Sequence, residues 1–283
     1  MERILLDNTS LIKSGINDIQ YFVVDENIKN IEIPNNCSIN ILFLNIPKEK
    51  DFVINIDRNC EVLISFLMKD NVDGYKITIN VKENSHVEGY FADFTENKNN
   101  INIVTNLLER NAVMNWHLAS LTAGKDNKKF DISVNHIAPS TFARMDNYGV
   151  CKDDGKLVFS GISTINNGSK GSKTHQNSKI MVFDKLSNGI AKPILKIDEN
   201  DIEASHAAVV GKINDDHLFY LTSRGLTESA AKELITYGYL KPIINGFIEE
   251  NIKEEISNLI EGKPLRRNRP PCGRSWIKQE QRS

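Results

Sequence analysis

Side chains that could perform chemistry stand next to one another in the stretch IEASHAAVVGKINDDHLFYLTSRGL, which runs from Ile202 to Leu226. Ser205 could serve as a nucleophile, and the imidazole of His206 could act as a base or bind a metal ion. The stretch opens with an alternating pattern that predicts a strand, and neighbouring side chains on a strand point to opposite faces. Ser205 and His206 therefore do not form a nucleophile–base pair with each other. His206 shares its face with Ala204 and Ala208, and a histidine among such neighbours is more often a packed core residue than a ligand.

Three other features have a structural interpretation. Asn214-Asp215-Asp216 is predicted to be a turn and not a pair of catalytic carboxylates. The polar segment from Ile165 to Asn177 is predicted to be a loop, and it lacks the GxxxxGK(S/T) spacing of a phosphate-binding loop. No two cysteines form a CxxC pair, which excludes a zinc ribbon and indicates reduced thiols at all four positions: Cys37, Cys60, Cys151 and Cys272.

The composition is that of an ordinary water-soluble protein. The chain has 283 residues, of which 40% are apolar and 25% charged. A net charge of −2 argues against nucleic acid or an anionic membrane as a partner of the whole molecule. No apolar run reaches 18 residues, and the N-terminus lacks the features of a secretory signal. We therefore expect a cytoplasmic protein.

A repeat dominates the first half of the chain. Asn36, Asn59, Asn84 and Asn111 each begin a similar unit, in which a small residue, a variable residue and an apolar residue precede a strand-like run. Asparagine tolerates the left-handed backbone of a tight corner, and a period near 25 residues is typical of a solenoid. A doubly wound α/β fold would need helices of 10–15 residues between the strands. No such helix is evident from Ser38 to Phe159.

The repeat predicts a mainly β protein with a parallel β-helix core and C-terminal helices. Cys37 and Cys60 occupy equivalent positions on successive coils, so we expect them to stack about 5 Å apart. A disulfide or metal site at these two thiols is the alternative. The predicted organisation is an N-terminal segment (1–20), the β-helix core (21–226), a C-terminal helical subdomain (227–262) and a basic flexible tail (263–283).

Two helices are expected in the helical subdomain. Thr227 is the predicted N-cap of the first and Gly238 its end, while Pro242 stands near the start of the second and Gly262 follows it. Isoleucine recurs every fourth residue along the second helix, which makes it amphipathic. Its apolar face either caps the end of the solenoid or docks a partner.

The order of residues in the last third of the chain resembles the C-terminal core of the SufB/SufD family, the scaffold components of the SUF iron–sulfur cluster assembly system. The resemblance extends roughly from Phe91 to Gly262 and is strongest from Lys192 to Tyr239. The absence of any cysteine between Cys151 and Cys272 makes the chain more similar to SufD than to SufB. The matching motif positions are Lys192, Pro193, Ser205, His206, Phe219, Tyr220, Arg224 and Gly225.

The resemblance implies a right-handed parallel β-helix and a scaffold without turnover of its own. His206, with Ser205 beside it, matches the histidine implicated in building the cluster where SufB and SufD meet, so His206 is a candidate metal ligand or proton carrier. Ala207 follows it, and no carboxylate ligand is offered there. No permanent cofactor is implied, but a transient iron–sulfur cluster at the interface is.

The resemblance also implies two partners. One is a SufB-like chain, or a second copy of this chain, paired through the β-helix core. The other is a SufC-like ABC-type ATPase docked on the terminal helices, for which the candidate contact residues are Thr227, Ala230, Tyr239, Phe247, Ile248 and Ile252.

Two other classes of function compete with this interpretation. A β-helical enzyme acting on polysaccharide usually carries clustered acidic residues on one face and is usually secreted, and neither feature is evident. A non-catalytic interaction solenoid without any connection to metals is the other alternative. Co-purification with an ABC-type ATPase would separate the assembly scaffold from both.

Overall fold

The computed structural model describes residues 3–8, 12, 19–44, 47–69, 73–96 and 98–262. Two parallel sheets and three helices make up this part of the chain. The predicted basic tail and Cys272 lie outside the described residues.

One sheet has nine strands. In spatial order they are β1 (Arg3–Leu6), β2 (Gln20–Val24), β4 (Ser38–Phe43), β6 (Glu61–Met68), β8 (His86–Asp93), β10 (Val113–Thr122), β12 (Phe142–Cys151), β14 (Ser172–Val182) and β16 (Ile202–Lys212). The other sheet has seven, in the order β15 (Asn188–Ile197), β13 (Lys156–Ile165), β11 (Asn127–His136), β9 (Lys98–Leu107), β7 (Asp73–Val81), β5 (Asp51–Ile56) and β3 (Asn30–Ile33).

From β2 onward, successive strands join alternate sheets, so every two strands complete one coil. The predicted mainly β solenoid with C-terminal helices is confirmed. Inward side chains form one continuous apolar core, in which the same kind of residue stacks on the next coil. The ring centroids of Phe43 and Phe66 lie 4.2 Å apart, and Phe91 follows at 5.4 Å from Phe66. Such stacking buries large apolar side chains without a second domain.

The asparagine corners are confirmed. Asn36, Asn59, Asn84 and Asn111 have positive φ angles of 59°, 57°, 55° and 59°. Their side-chain amides also form a ladder, in which each Nδ2 donates to the Oδ1 one coil below at 3.2, 3.3 and 2.9 Å. A second ladder, which the repeat did not predict, runs across the seven-stranded sheet and consists of Asn55, Asn80, Asn106 and Asn135.

The coils lengthen along the chain. The four asparagine corners are separated by 23, 25 and 27 residues. The left-handed corner residues that follow are Ser140, 29 residues after Asn111, and Gly171, a further 31 residues on. Each coil is therefore two residues longer than the one before it, which preserves the alternation of inward and outward side chains.

Cys37 and Cys60 lie at equivalent positions on neighbouring coils, as predicted, and both are buried. Burial, together with the neighbouring Cys60, raises the pKa of Cys37 to about 11. Burial also raises the pKa of Cys60. Both side chains are thus protonated thiols at neutral pH, which fits a packing role.

A buried ion pair holds the turn between β8 and β9. Lys128 donates to the carboxylate of Asp93 at 2.7 Å, and both side chains are fully buried. Thr95 and Asn99 donate further hydrogen bonds to the same carboxylate. These contacts satisfy a charge that would otherwise be costly to bury.

The helices differ from the prediction. α1 (Asp215–Ser223) lies within the stretch assigned to the β-helix core, and the supposed turn at Asn214-Asp215-Asp216 is its N-cap and first turn. α2 (Glu228–Ile244) begins after the predicted cap Thr227 but continues through Gly238 and Pro242. α3 (Glu250–Glu261) follows. None of the helices in the described part of the chain is long and apolar enough to cross a membrane.

Two further expectations need correction. The predicted loop from Ile165 to Asn177 is partly strand, because β14 begins at Ser172. The terminal helices do not cap the end of the solenoid. They cover the outer face of the nine-stranded sheet, where a second apolar cluster joins α2 and α3 to the strands; its members include Leu67, Ala92, Ala119, Val150, Leu240, Ile243, Phe247, Ile252 and Ile256.

The left-handed corner at Asn84 generates a stability prediction. We expect Asn84→Ala to lower the free energy of unfolding by about 1–2 kcal/mol more than Asn84→Gly, because alanine is strained at a φ of 55° and glycine is not. Both variants lose the ladder hydrogen bonds equally. Urea unfolding followed by circular dichroism measures the difference. Equal destabilisation by the two variants would show that the ladder, and not the backbone conformation, carries the stability of the corner.

Candidate functional site

The solenoid is open at its C-terminal end. β16 and β15 are the last strands of their sheets, and no described strand pairs with their outer edges. Apolar side chains are exposed there: Ile194 is 39% exposed, Val209 56% and Val210 46%. A long, flat, apolar edge of this kind is a template for pairing with another chain.

His206 lies on this last strand and is exposed. Its register partner on β14 is Gln176, whose side chain is buried inside the solenoid. His206 therefore belongs to the inward-facing row, as the alternation predicted. However, no described coil covers that row, so the expectation of a packed core histidine is wrong for this chain.

Below His206 the lumen is polar. Gln176 spans the two sheets, because its Nε2 donates to the Oγ of Ser163 at 2.8 Å and to the backbone oxygen of Ile194 at 3.1 Å. The hydroxyl of Thr174 also donates to Ser163, at 2.8 Å. These bonds fix a rigid floor beneath the imidazole, whereas earlier coils are filled with aromatic and aliphatic side chains.

Ser205 lies on the opposite face from His206 and has a different histidine partner. The Oγ of Ser205 is 2.8 Å from Nδ1 of His175, its register neighbour on β14. Glu203 lies 3.7 Å from Nε2 of His175 and forms an ion pair with Lys173 at 2.9 Å, which lowers the pKa of Glu203. Sequence reasoning missed His175, since its partner is 30 residues away and is found only from the length of that coil.

Metal-binding capacity in the described ranges is limited. No three histidine, cysteine, aspartate or glutamate side chains of the described residues come together in a way that could hold a metal ion. His206 on its own offers one imidazole, and His175 with Glu203 offers a second, separate pair of donors on the outer face.

The other motif residues have structural positions. Lys192 and Pro193 lie on β15, where a proline is tolerated because the strand is at the edge of its sheet. Gly225 has a φ of 95° and follows α1, and the guanidinium of Arg224 lies 5.3 Å from the ring centroid of Tyr220. Phe219 is 74% exposed, so this large apolar side chain is presented to solvent.

The candidate docking residues fall into two groups. Thr227 caps α2 by accepting from the backbone amide of Ala230 at 3.2 Å, and both lie near the surface. Ile248 is also exposed. Phe247 and Ile252 are buried against the sheet, which places them to hold the helices in position and leaves them no surface for a partner.

Tyr239, the remaining candidate, is half-buried and packs on Tyr148 with ring centroids 5.8 Å apart. Burial raises the pKa of Tyr239 to about 12. Four further side chains around α1 and α2 are large, apolar and exposed, and we call them the α1–α2 apolar group: Phe219, Tyr220, Leu226 and Leu234.

Known proteins with similar sequences agree with this architecture. The most significant curated match is the iron–sulfur cluster assembly protein SufD of Bacillus subtilis, which is 34% identical over 140 residues, or 50% of this chain and 32% of that protein. A SufBD family protein of Mycobacterium tuberculosis is 32% identical over 140 residues, 49% of this chain and 16% of its own. One of Staphylococcus saprophyticus is 32% identical over 107 residues, 38% of this chain and 23% of its own. The chain thus spans less than a third of the length of each relative.

A family model described as "SUF system FeS cluster assembly, SufBD core domain" matches residues 55–239. The match begins earlier than the predicted resemblance and ends earlier, within α2. It covers more than half of the chain and includes the strand that carries Ser205 and His206. The chain therefore belongs to the SufBD family of the SUF iron–sulfur cluster assembly system.

Proposed function

We propose that this chain is a SufD-like scaffold of a cytoplasmic SUF complex, pairing through its open end with a SufB-like chain and docking an ABC-type ATPase on its helices. The observation that carries the proposal is the exposed His206 on an unpaired terminal strand. The best curated match being a SufD supports the SufD-like assignment.

The open end suits edge-to-edge pairing. The backbone amide of Ile213, just after β16, donates to Val182 at 3.0 Å, so the odd-numbered amides of this strand face β14. Alternation along a strand then directs the amides of Ala208 and its even-numbered neighbours toward the free edge. A partner strand satisfies those groups and covers Val209 and Val210.

Pairing also gives His206 a chemical role. An imidazole ligates iron through one ring nitrogen or carries a proton. One imidazole does not make a metal site, so the remaining ligands come from the partner chain in this proposal. The iron–sulfur cluster is the cargo being assembled at that interface and not a resident cofactor.

The α1–α2 apolar group is the proposed contact for the ATPase. Exposed aromatic side chains are frequent anchors of protein interfaces, and Phe219 and Tyr220 are the two exposed aromatics of this group. This assignment replaces Phe247 and Ile252 as contacts and keeps Thr227, Ala230, Tyr239 and Ile248 at its periphery. The ATPase then binds a surface separate from the edge that pairs with the SufB-like chain.

Substitution at the free edge tests the pairing. We expect Ala208→Pro to weaken association with a SufB-like chain about tenfold or more, because proline removes an amide that faces the edge. Ala208→Thr keeps that amide and is the matched control. Analytical ultracentrifugation with the partner, and circular dichroism of each variant alone, measure pairing and folding separately. A folded Ala208→Pro variant that pairs normally would place the interface elsewhere, and pairing only with itself would favour a homodimer.

Substitution on α1 tests the ATPase contact. Phe219→Asp should weaken binding of a SufC-like ATPase by about thirtyfold, the effect of losing an anchor side chain worth about 2 kcal/mol. The control is Ile137→Asp, which changes an exposed apolar residue between β11 and β12. Calorimetry with the purified ATPase compares the two. If both variants bind as the unmodified chain does, α1 is not the docking site.

The role of His206 is tested by separating stability from assembly. His206→Ala should change the free energy of unfolding by no more than about 0.5 kcal/mol, because the side chain is exposed. Cluster formation on the reconstituted complex, followed by its visible absorbance, should fall strongly. His217→Ala, which alters an exposed histidine of α1, should affect neither. Normal cluster formation by the folded His206→Ala complex would end the proposed role.

A further inference from the structure

Carboxylates and imidazoles alternate across four neighbouring strands on the outer face of the nine-stranded sheet. His86 lies between Glu61, at 3.3 Å from Nδ1, and Glu88, at 3.1 Å from Nε2. His117 lies between the other oxygen of Glu88, at 3.2 Å from Nε2, and Asp146, at 3.7 Å from Nδ1. We call these five residues the histidine–carboxylate chain.

The geometry sets the protonation state of the chain. A neutral imidazole has one N–H donor and one acceptor nitrogen. In both histidines each ring nitrogen faces a carboxylate oxygen, so a neutral ring would turn a lone pair toward one of the two carboxylates. Full hydrogen bonding of His86 and His117 therefore requires both rings as imidazolium.

The electrostatics agree with this arrangement. The hydrogen bond to Glu88 raises the pKa of His86 against the opposing effect of burial, and Glu61 raises it further. For Glu88, burial acts to raise the pKa, but hydrogen bonds from His117, His86 and Asn115 overcome it and lower the pKa to about 2. Glu88 thus stays ionised at the centre of the chain over the whole physiological range.

One end of the chain touches the connection between α2 and α3. The ring of Tyr90 stacks on His117 with centroids 4.7 Å apart and planes 16° from parallel. The other side of Tyr90 faces Phe247 at 6.2 Å. A Cβ at Gly246 would lie only 1.8 Å from the Tyr90 ring, so the backbone of the connection rests directly on that ring. His117, Tyr90 and the connection therefore form one continuous stack.

We propose that the histidine–carboxylate chain is a pH-sensitive latch, which holds the connection between α2 and α3 on the sheet while both imidazoles are protonated. When the imidazoles lose a proton, each retains a hydrogen bond to only one carboxylate. His117 then loses the contact that orients it beneath Tyr90, and the connection loosens.

The groups that face the two imidazoles come from four strands. β6 contributes Glu61, β8 contributes Glu88 and Tyr90, β10 contributes Asn115 beside His86, and β12 contributes Asp146. Asp146 has two further donors, Arg144 at 3.0 Å and Asn177 at 3.2 Å. Asp146 therefore remains paired when His117 is neutral, and the change falls mainly on Glu88. From the helices, the connection brings Gly246 and Phe247, which carry no charge.

The direction of the pH effect follows from the raised pKa of His86. A histidine whose pKa is higher in the folded state stabilises that state fully below its unfolded pKa, and the stabilisation is lost as the pH rises through the folded value. The latch is therefore closed at mildly acidic pH and opens on the alkaline side. If the proposed docking of the ATPase on α1 and α2 holds, its affinity also varies with pH.

The test uses the isolated chain, so its outcome is independent of any partner. Hydrogen exchange of peptides that cover residues 245–249 is measured from pH 5.5 to pH 8.5 and corrected for the intrinsic pH dependence of exchange. We expect protection to fall about tenfold over this range in the unmodified chain, as for a coupled shift of about one pKa unit. In Glu88→Gln protection should be low and independent of pH. Glu83→Gln, which neutralises an exposed glutamate outside the chain, should behave as the unmodified protein.

A second measurement covers the case in which Glu88→Gln does not fold. In the unmodified protein, the NMR titration of the His86 ring should have a midpoint above that of a free histidine. In Glu61→Gln, which removes only the outermost carboxylate, that midpoint should fall. A midpoint at or below the free value, or equal pH slopes of exchange in the unmodified protein and the folded Glu88→Gln variant, would overturn the proposal.

Discussion

The whole structure depends on one geometric constraint: each coil must return to the register of the coil below it. A shift of a single residue would turn every inward side chain outward and expose the apolar core. The left-handed corners meet this constraint, because they turn the chain sharply at the same position on each coil. The aromatic stack, the amide ladders and the chain of alternating charges all follow from it, since in-register stacking places like positions one strand apart.

The fold was predictable where local chemistry and periodicity agreed. Asparagines at regular spacing indicated both the corners and the solenoid, and alternation indicated which side of β16 carries His206. The helices were harder to predict. Gly238 and Pro242 usually end a helix, but they stand four residues apart, so the proline ring meets the carbonyl of a residue without a side chain. Both lie on the solvent side of α2, and the burial of Leu240 and Ile243 on its other side favours a continuous helix.

The site was predictable only in part, for a similar reason. A pattern shows which row a side chain belongs to, but not whether another coil covers that row. His206 has the neighbours of a core residue, yet it is exposed because β16 is the last strand of its sheet. The pairing of Ser205 with His175, and the chain through His86 and His117, depend on coil lengths that change along the molecule. Long-range polar contacts of this kind require the register first.

The steady lengthening of the coils makes the solenoid a tapered body with a narrow and a wide end. Because each step adds a pair of residues, the molecule tolerates changes of length in even numbers, and a one-residue insertion within a strand would invert the pattern beyond it. The taper also gives the stack a direction. A copy of an early coil would be too short to sit on β15 and β16, so this chain does not extend itself by simple duplication of its own units. What covers the wide end must match its breadth, and the size of that final coil acts as a gauge that selects a partner by width before any side chain is read.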